Sequence, residues 1–113
     1  MSDSSLPKTA RIRQLNDQLR CNASGGRIVI TRGIEALGSD GVNQVLVAVA
    51  RFDEFSEDND PWGEHDCAIL TVNGRRVLFK MDYYDRSLTV HSPDASDPAV
   101  TERLMTVMLA EEY

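Results

Sequence analysis

The sequence predicts an α+β fold: an antiparallel sheet, made of a three-stranded meander plus one edge strand, packed by about three helices. Three observations carry this. Apolar residues recur at helical spacing in three separated stretches. Cys67–Val72 and Arg75–Asp82 are strand-like runs flanking Asn73-Gly74, the dipeptide that best marks a two-residue hairpin. A short β-branched run, Arg27-Ile28-Val29-Ile30-Thr31, stands alone between two of the helical stretches.

Residues 1–6 are polar and have little to bury, so a flexible N-terminus is expected before a single domain over 7–113. Ile12, Leu15 and Leu19 define a first helix from Pro7 or Lys8 to about Arg20, with Arg11, Arg13 and Arg20 on solvated faces. Asn22-Ala23-Ser24-Gly25-Gly26 stops it, the strand at 27–31 follows, and Arg32-Gly33-Ile34 turns away. Gly38-Ser39-Asp40 reads as an N-cap. The stripe Val42, Val45, Leu46, Val49 and Phe52 then gives a second helix over roughly 41–54.

Counting outward from a type I′ turn at Asn73-Gly74 assigns the hairpin faces. Ala68, Leu70, Val72, Val77, Phe79 and Met81 face the core. Cys67, Ile69, Thr71, Arg76, Leu78 and Lys80 face the other way, with His65 opposite Asp82. A turn at Tyr83-Tyr84-Asp85-Arg86 leads to a third strand over 87–91, which brings Leu88 and Val90 to the core face and His91 to the side of His65 and Asp82. A polar link from Pro93 ends at an Asp97 cap and Pro98. Val100, Leu104, Val107 and Met108 predict a terminal helix to about Ala110, whose final turn carries Glu111 and Glu112 against the helix dipole.

At 113 residues the chain can bury roughly 65% of the surface it exposes unfolded, enough for one core. The net charge of −6 and pI near 4.8 oppose binding to nucleic-acid phosphates or anionic membranes, and favour a basic protein as partner. The basic residues are scattered, and no Gly-rich phosphate loop is present. Cys21 and Cys67 do not make a zinc framework and read as reduced thiols. An N-terminus of Met-Ser-Asp-Ser-Ser and the lack of a long apolar run predict a cytoplasmic protein.

The chemistry concentrates in residues 53–66. Seven of these fourteen residues are acids, none is Lys or Arg, and the segment holds Trp62 and His65. Self-repulsion in such a loop has to be offset by a cation or by hydrogen bonds. Read as a binding surface, it contributes Asp58, Asp60, Trp62, Glu64 and His65, with Asp82, Tyr83 and Asp85 from the neighbouring strand and turn. The competing reading folds Trp62 back onto the core. A calcium loop starting at Asp58 fails at its fifth and twelfth positions, Trp62 and Ile69.

The alternative is a divalent transition-metal site of His65, Asp82 and His91, a metal-binding domain or metal-dependent enzyme; its simpler counterpart is a His65–Asp82 cross-strand pair. A Cys67–His65–Asp82 catalytic group is also conceivable, although side chains two apart on a strand stand roughly 6.5–7 Å apart at their roots. The preferred reading is a small non-enzymatic binding or regulatory protein without a cofactor.

Several blocks together resemble one small bacterial family, domain of unknown function 3768: Asn16-Asp17, Ile30-Thr31-Arg32-Gly33, the run Glu57–Asp66, Lys80–Asp85 and Met108–Tyr113. The resemblance extends from about Ile12 to Tyr113. It implies no activity, cofactor or catalytic residue. Members often occur on plasmids and other mobile elements, which implies an anti-defence, plasmid-related or regulatory role.

Overall fold

A computed structural model describes residues 7–113; the expected flexible segment 1–6 lies outside them. The elements are α1 (Lys8–Asn22), β1 (Arg27–Ile30), a single-turn α2 (Arg32–Glu35), α3 (Gly38–Arg51), β2 (Cys67–Val72), β3 (Arg75–Tyr84) and β4 (Glu102–Leu109). Short 3₁₀ turns at Pro98–Val100 and Ala110–Glu112 bracket β4. The four strands form one sheet in the order β1-β4-β3-β2. The α+β class holds, and there are three helices among the described residues, but the third is the single-turn α2 rather than a terminal helix. The sheet is mixed, however, because β1 runs parallel to β4.

The hairpin has the expected register, with Val72 opposite Arg75 and Ala68 opposite Phe79. Asn73 and Gly74 both have positive φ, 51° and 81°, as a type I′ turn requires. Val77, Phe79 and Met81 are therefore buried together, and Leu19 of α1, Ile34 of α2 and Val45 and Val49 of α3 pack on the same side. Helix α1 stops at Ala23, whose left-handed backbone lets its N–H and that of Ser24 bond back to Leu19 and Gln18. At Gly26 an added Cβ would lie 2.5 Å from the Arg103 carbonyl oxygen; only glycine lets the chain pass this close to β4 and enter β1.

The expected terminal helix is instead β4, one of the two inner strands of the sheet. Arg103, Met105, Val107 and Leu109 are buried on one face with a period of two, and Met108 is buried opposite Leu78 on the other. That alternation was masked because one buried member is an arginine, leaving Val100, Leu104, Val107 and Met108 to suggest a helical stripe. Nor do residues 87–91 form a third meander strand, since β4 holds the edge of β3 that such a strand needs.

Instead, Asp85 gathers the loop. Its carboxylate accepts from the N–H groups of Thr89 and Val90 and from the Ser87 hydroxyl, and only His91 returns to bridge Tyr84. Leu88 and Val90 are exposed rather than in the core. Helix α3 starts at Gly38, earlier than the expected cap, and no side chain caps it. Arg20, expected on a solvated face, is buried: it donates to the carbonyls of Val49 and Phe52 at the end of α3. Glu112, expected to oppose a helix dipole, accepts from the N–H groups of Gly33 and Leu109 and from Thr31.

Candidate functional site: an acidic loop strapped to α1

Arg13, Asn16, Asp17 and Arg20 are spaced i, i+3, i+4 and i+7, so one face of α1 carries all four. That face meets the acidic loop. Arg13 donates to the Gly63 carbonyl at 2.9 Å, and Asn16 Nδ2 donates to the Glu64 carbonyl at 3.0 Å. Asp17 Oδ1 lies 2.9 Å from His65 Nδ1 and 3.1 Å from Arg20.

His65 sits at φ 55°, and its N–H is held by the Asp60 carboxylate at 3.1 Å. The positive φ turns its ring toward the helices, where it stacks on Phe55 with centroids 3.7 Å apart and planes 5° from parallel. Phe55 in turn meets Phe79 edge-on. His65 therefore shares the side of Phe79, and the expected placement opposite Asp82 is corrected: a strand parity count does not survive a left-handed residue.

A second cluster lies beside it. The Tyr83 hydroxyl accepts from Asn16 at 2.8 Å and donates to Glu64 at 3.2 Å. Arg103 Nε donates to Asn16 Oδ1, its other end donates to the Ala95 carbonyl, and its guanidinium lies 5.0 Å from the Tyr83 ring centroid. Burial raises the pKa of Glu64, Asp66 and Tyr83 and lowers that of Arg103. These groups hold the loop and β3 in place; Arg103 is buried, and Glu64, Asp66 and Tyr83 are half-buried.

Asp60, Glu64, His65 and Tyr83 thus come together on the α1 side, but as the loop's internal support. Trp62 is 75% exposed and does not fold back onto the core, and Asp58, earlier in the same loop, is exposed as well. Asp82 lies on the opposite sheet face, paired with Lys80 at 2.6 Å, and the Asp85 carboxylate is taken up by its own loop.

The structure does not bring His65, Asp82 and His91 together; His91 Nδ1 instead contacts the Ser92 carbonyl. Among the described residues no group of three or more His, Cys, Asp or Glu is arranged to hold a metal ion. Cys67 and His65 also face opposite sides. Burial, with Asp66 and Asp60 nearby, raises the Cys67 thiol pKa, the reverse of what an activated nucleophile needs. Both cysteines are free thiols.

The α1 stripe is the part that sequence reasoning missed. Its signal was available in the spacing of Arg13, Asn16, Asp17 and Arg20, an unusually polar seam directly alongside Leu15 and Leu19.

The molecule defined by these features is a two-layer α+β domain with an acidic, tryptophan-bearing loop clamped to its first helix. A family model described as protein of unknown function (DUF3768) matches residues 30–112, and the chain belongs to that family. The match begins after α1, so the residues that clamp the loop precede the matched segment. No curated protein and no solved structure matches the chain significantly. Among the described residues, no helix is long and apolar enough to cross a membrane.

Proposed function

We propose that this chain is a binding protein that docks a basic protein partner on the acidic loop, with Trp62 as the aromatic anchor. The observation that carries the reading is the 75% exposure of Trp62 on a loop whose next two residues, Gly63 and Glu64, are tied to α1 through their backbone carbonyls. An exposed tryptophan on a preorganised loop binds at low entropic cost, because little remains to be ordered. Glu54, Glu57 and Asp58 are exposed on the same segment and supply an anionic rim. Such a rim steers a cationic partner and makes association salt-dependent.

Asp60, Glu64, His65 and Tyr83 serve this surface from beneath, by holding its shape. Asp82 and Asp85 do not belong to it. On the family resemblance, the setting is regulatory, anti-defence or plasmid-related.

The test is affinity capture from the host with the wild-type chain and with Trp62→Ala, followed by titration of the purified partner. Loss of an anchor worth about 2 kcal/mol weakens binding roughly thirtyfold. Raising salt should weaken the wild-type complex further. A partner that binds Trp62→Ala as tightly as wild type, or whose affinity ignores salt, defeats the proposal.

A further inference from the structure

Strand β2 is one edge of the sheet, paired among the described residues only with β3. Because the two-residue turn closes on the Val72–Arg75 pair, Ala68, Leu70 and Val72 direct their backbone groups toward β3. Cys67, Ile69 and Thr71 direct theirs outward. An open groove runs beside Ile69, Leu70 and Thr71, flanked by Arg51, Asp53 and Glu54 at the end of α3. Natural sheet edges are usually guarded by Lys, Pro, a bulge or an inward charge. The run Cys-Ala-Ile-Leu-Thr-Val has none of these, and Ile69 is 47% exposed.

We propose that this edge pairs antiparallel with β2 of a second copy about a two-fold axis at Ile69, giving one continuous eight-stranded sheet. Two features select a second copy over an unrelated strand. The first is register. With the axis at Ile69, the two Ile69 residues exchange two backbone hydrogen bonds, and each Thr71 N–H meets the partner's Cys67 carbonyl. The row Met108–Leu78–Ile69 then continues into its symmetry mate, burying the exposed end of an apolar stripe that is otherwise covered.

The second is charge. The N-terminal end of β2 leads out of the acidic segment through Glu64 and Asp66, while its C-terminal end leads through the turn into Arg75 and Arg76, which are exposed. Antiparallel pairing sets the acidic end of each copy beside the basic hairpin end of the other. Parallel pairing would stack like on like. The arrangement is isologous and closed, so it stops at a dimer and leaves the Trp62 loops free.

Light scattering of the purified chain should give twice the chain mass, and Ile69→Lys should give the single mass with an unchanged circular dichroism spectrum. A wild-type chain that is monomeric at every concentration overturns the proposal. So does a folded Ile69→Lys variant that still dimerises.

If Ile69→Lys fails to fold, Thr71→Cys in a Cys21→Ser background decides, since the register sets it directly opposite the partner's Cys67, within disulfide reach. Mild oxidation should then yield a reductant-sensitive dimer, which Cys21→Ser alone does not form. Absence of that dimer overturns the register and the proposal with it.

Discussion

Arg103 Nε donates to Asn16 Oδ1 at 2.7 Å, and both side chains are essentially sealed from solvent, 2% and 0% exposed. This bond joins the first helix to the last strand across 87 residues of chain. Removing one partner leaves the other's polar group stranded, which is costlier than never having made the bond. Asn16→Leu should therefore destabilise the protein by about 2–3 kcal/mol in chemical denaturation, near the upper end for a bond to a charged group. Replacing both residues, Asn16→Leu with Arg103→Met, should cost clearly less than the sum of the single changes. Strict additivity would show that the two side chains act independently.

Phe79 is fully buried and meets Phe52 and Phe55 edge-on, with the Arg20 guanidinium 5.7 Å from its ring centroid. Phe79→Ala should cost about 3–5 kcal/mol through lost burial and the cavity left behind. A urea titration checks it, and a loss below about 1 kcal/mol would place Phe79 outside the core.

The loop carboxylates divide by burial. Asp58 is exposed, so Asp58→Asn should leave stability within about 0.5 kcal/mol of wild type. Asp60 is buried, and both its oxygens accept from the His65 N–H, so Asp60→Ala should cost about 1–3 kcal/mol. Thermal melts of the two variants separate surface acids from supporting ones. Equal losses would erase the distinction.

Glu112 supplies a pH test. Hydrogen bonds from Thr31, Leu109 and Gly33 hold its carboxyl pKa below the usual glutamate value. A lowered folded pKa contributes stability that is complete above the unfolded pKa of about 4.3 and is lost as pH falls through the folded value. Glu112→Gln should therefore melt below wild type at neutral pH, and the gap should close on acidification. A gap that stays constant with pH would mean that the charge contributes nothing.

Glu64 carries the opposite sign. Burial raises its pKa, so the folded state favours the protonated form, and ionisation at neutral pH opposes folding. Glu64→Gln keeps an oxygen to accept from Tyr83 while removing the charge. It should be at least as stable as wild type near neutrality, and this advantage should shrink as pH falls toward the unfolded pKa. A clear drop in melting temperature at neutral pH would show that the charge itself is needed.

Local chemistry was legible where one signal sufficed. Asn73-Gly74 determined the hairpin, its register and the burial of Val77, Phe79 and Met81, because a type I′ turn leaves no freedom in the pairing that follows. The apolar stripes likewise determined α1 and α3, and the density of acids marked residues 53–66 as the segment to explain. Tertiary structure alone decided what the ambiguous segments became. Residues 102–109 read as a helix until Arg103 is known to be buried, and only a distant Asn16 makes that burial tolerable. His65 reads as a member of the outer sheet face until Asp60 and Asp17 hold it in a left-handed backbone against Phe55. Turn chemistry and apolar periodicity act over a few residues and can be read in order. Partners for buried polar groups come from remote parts of the chain, and no local pattern names them.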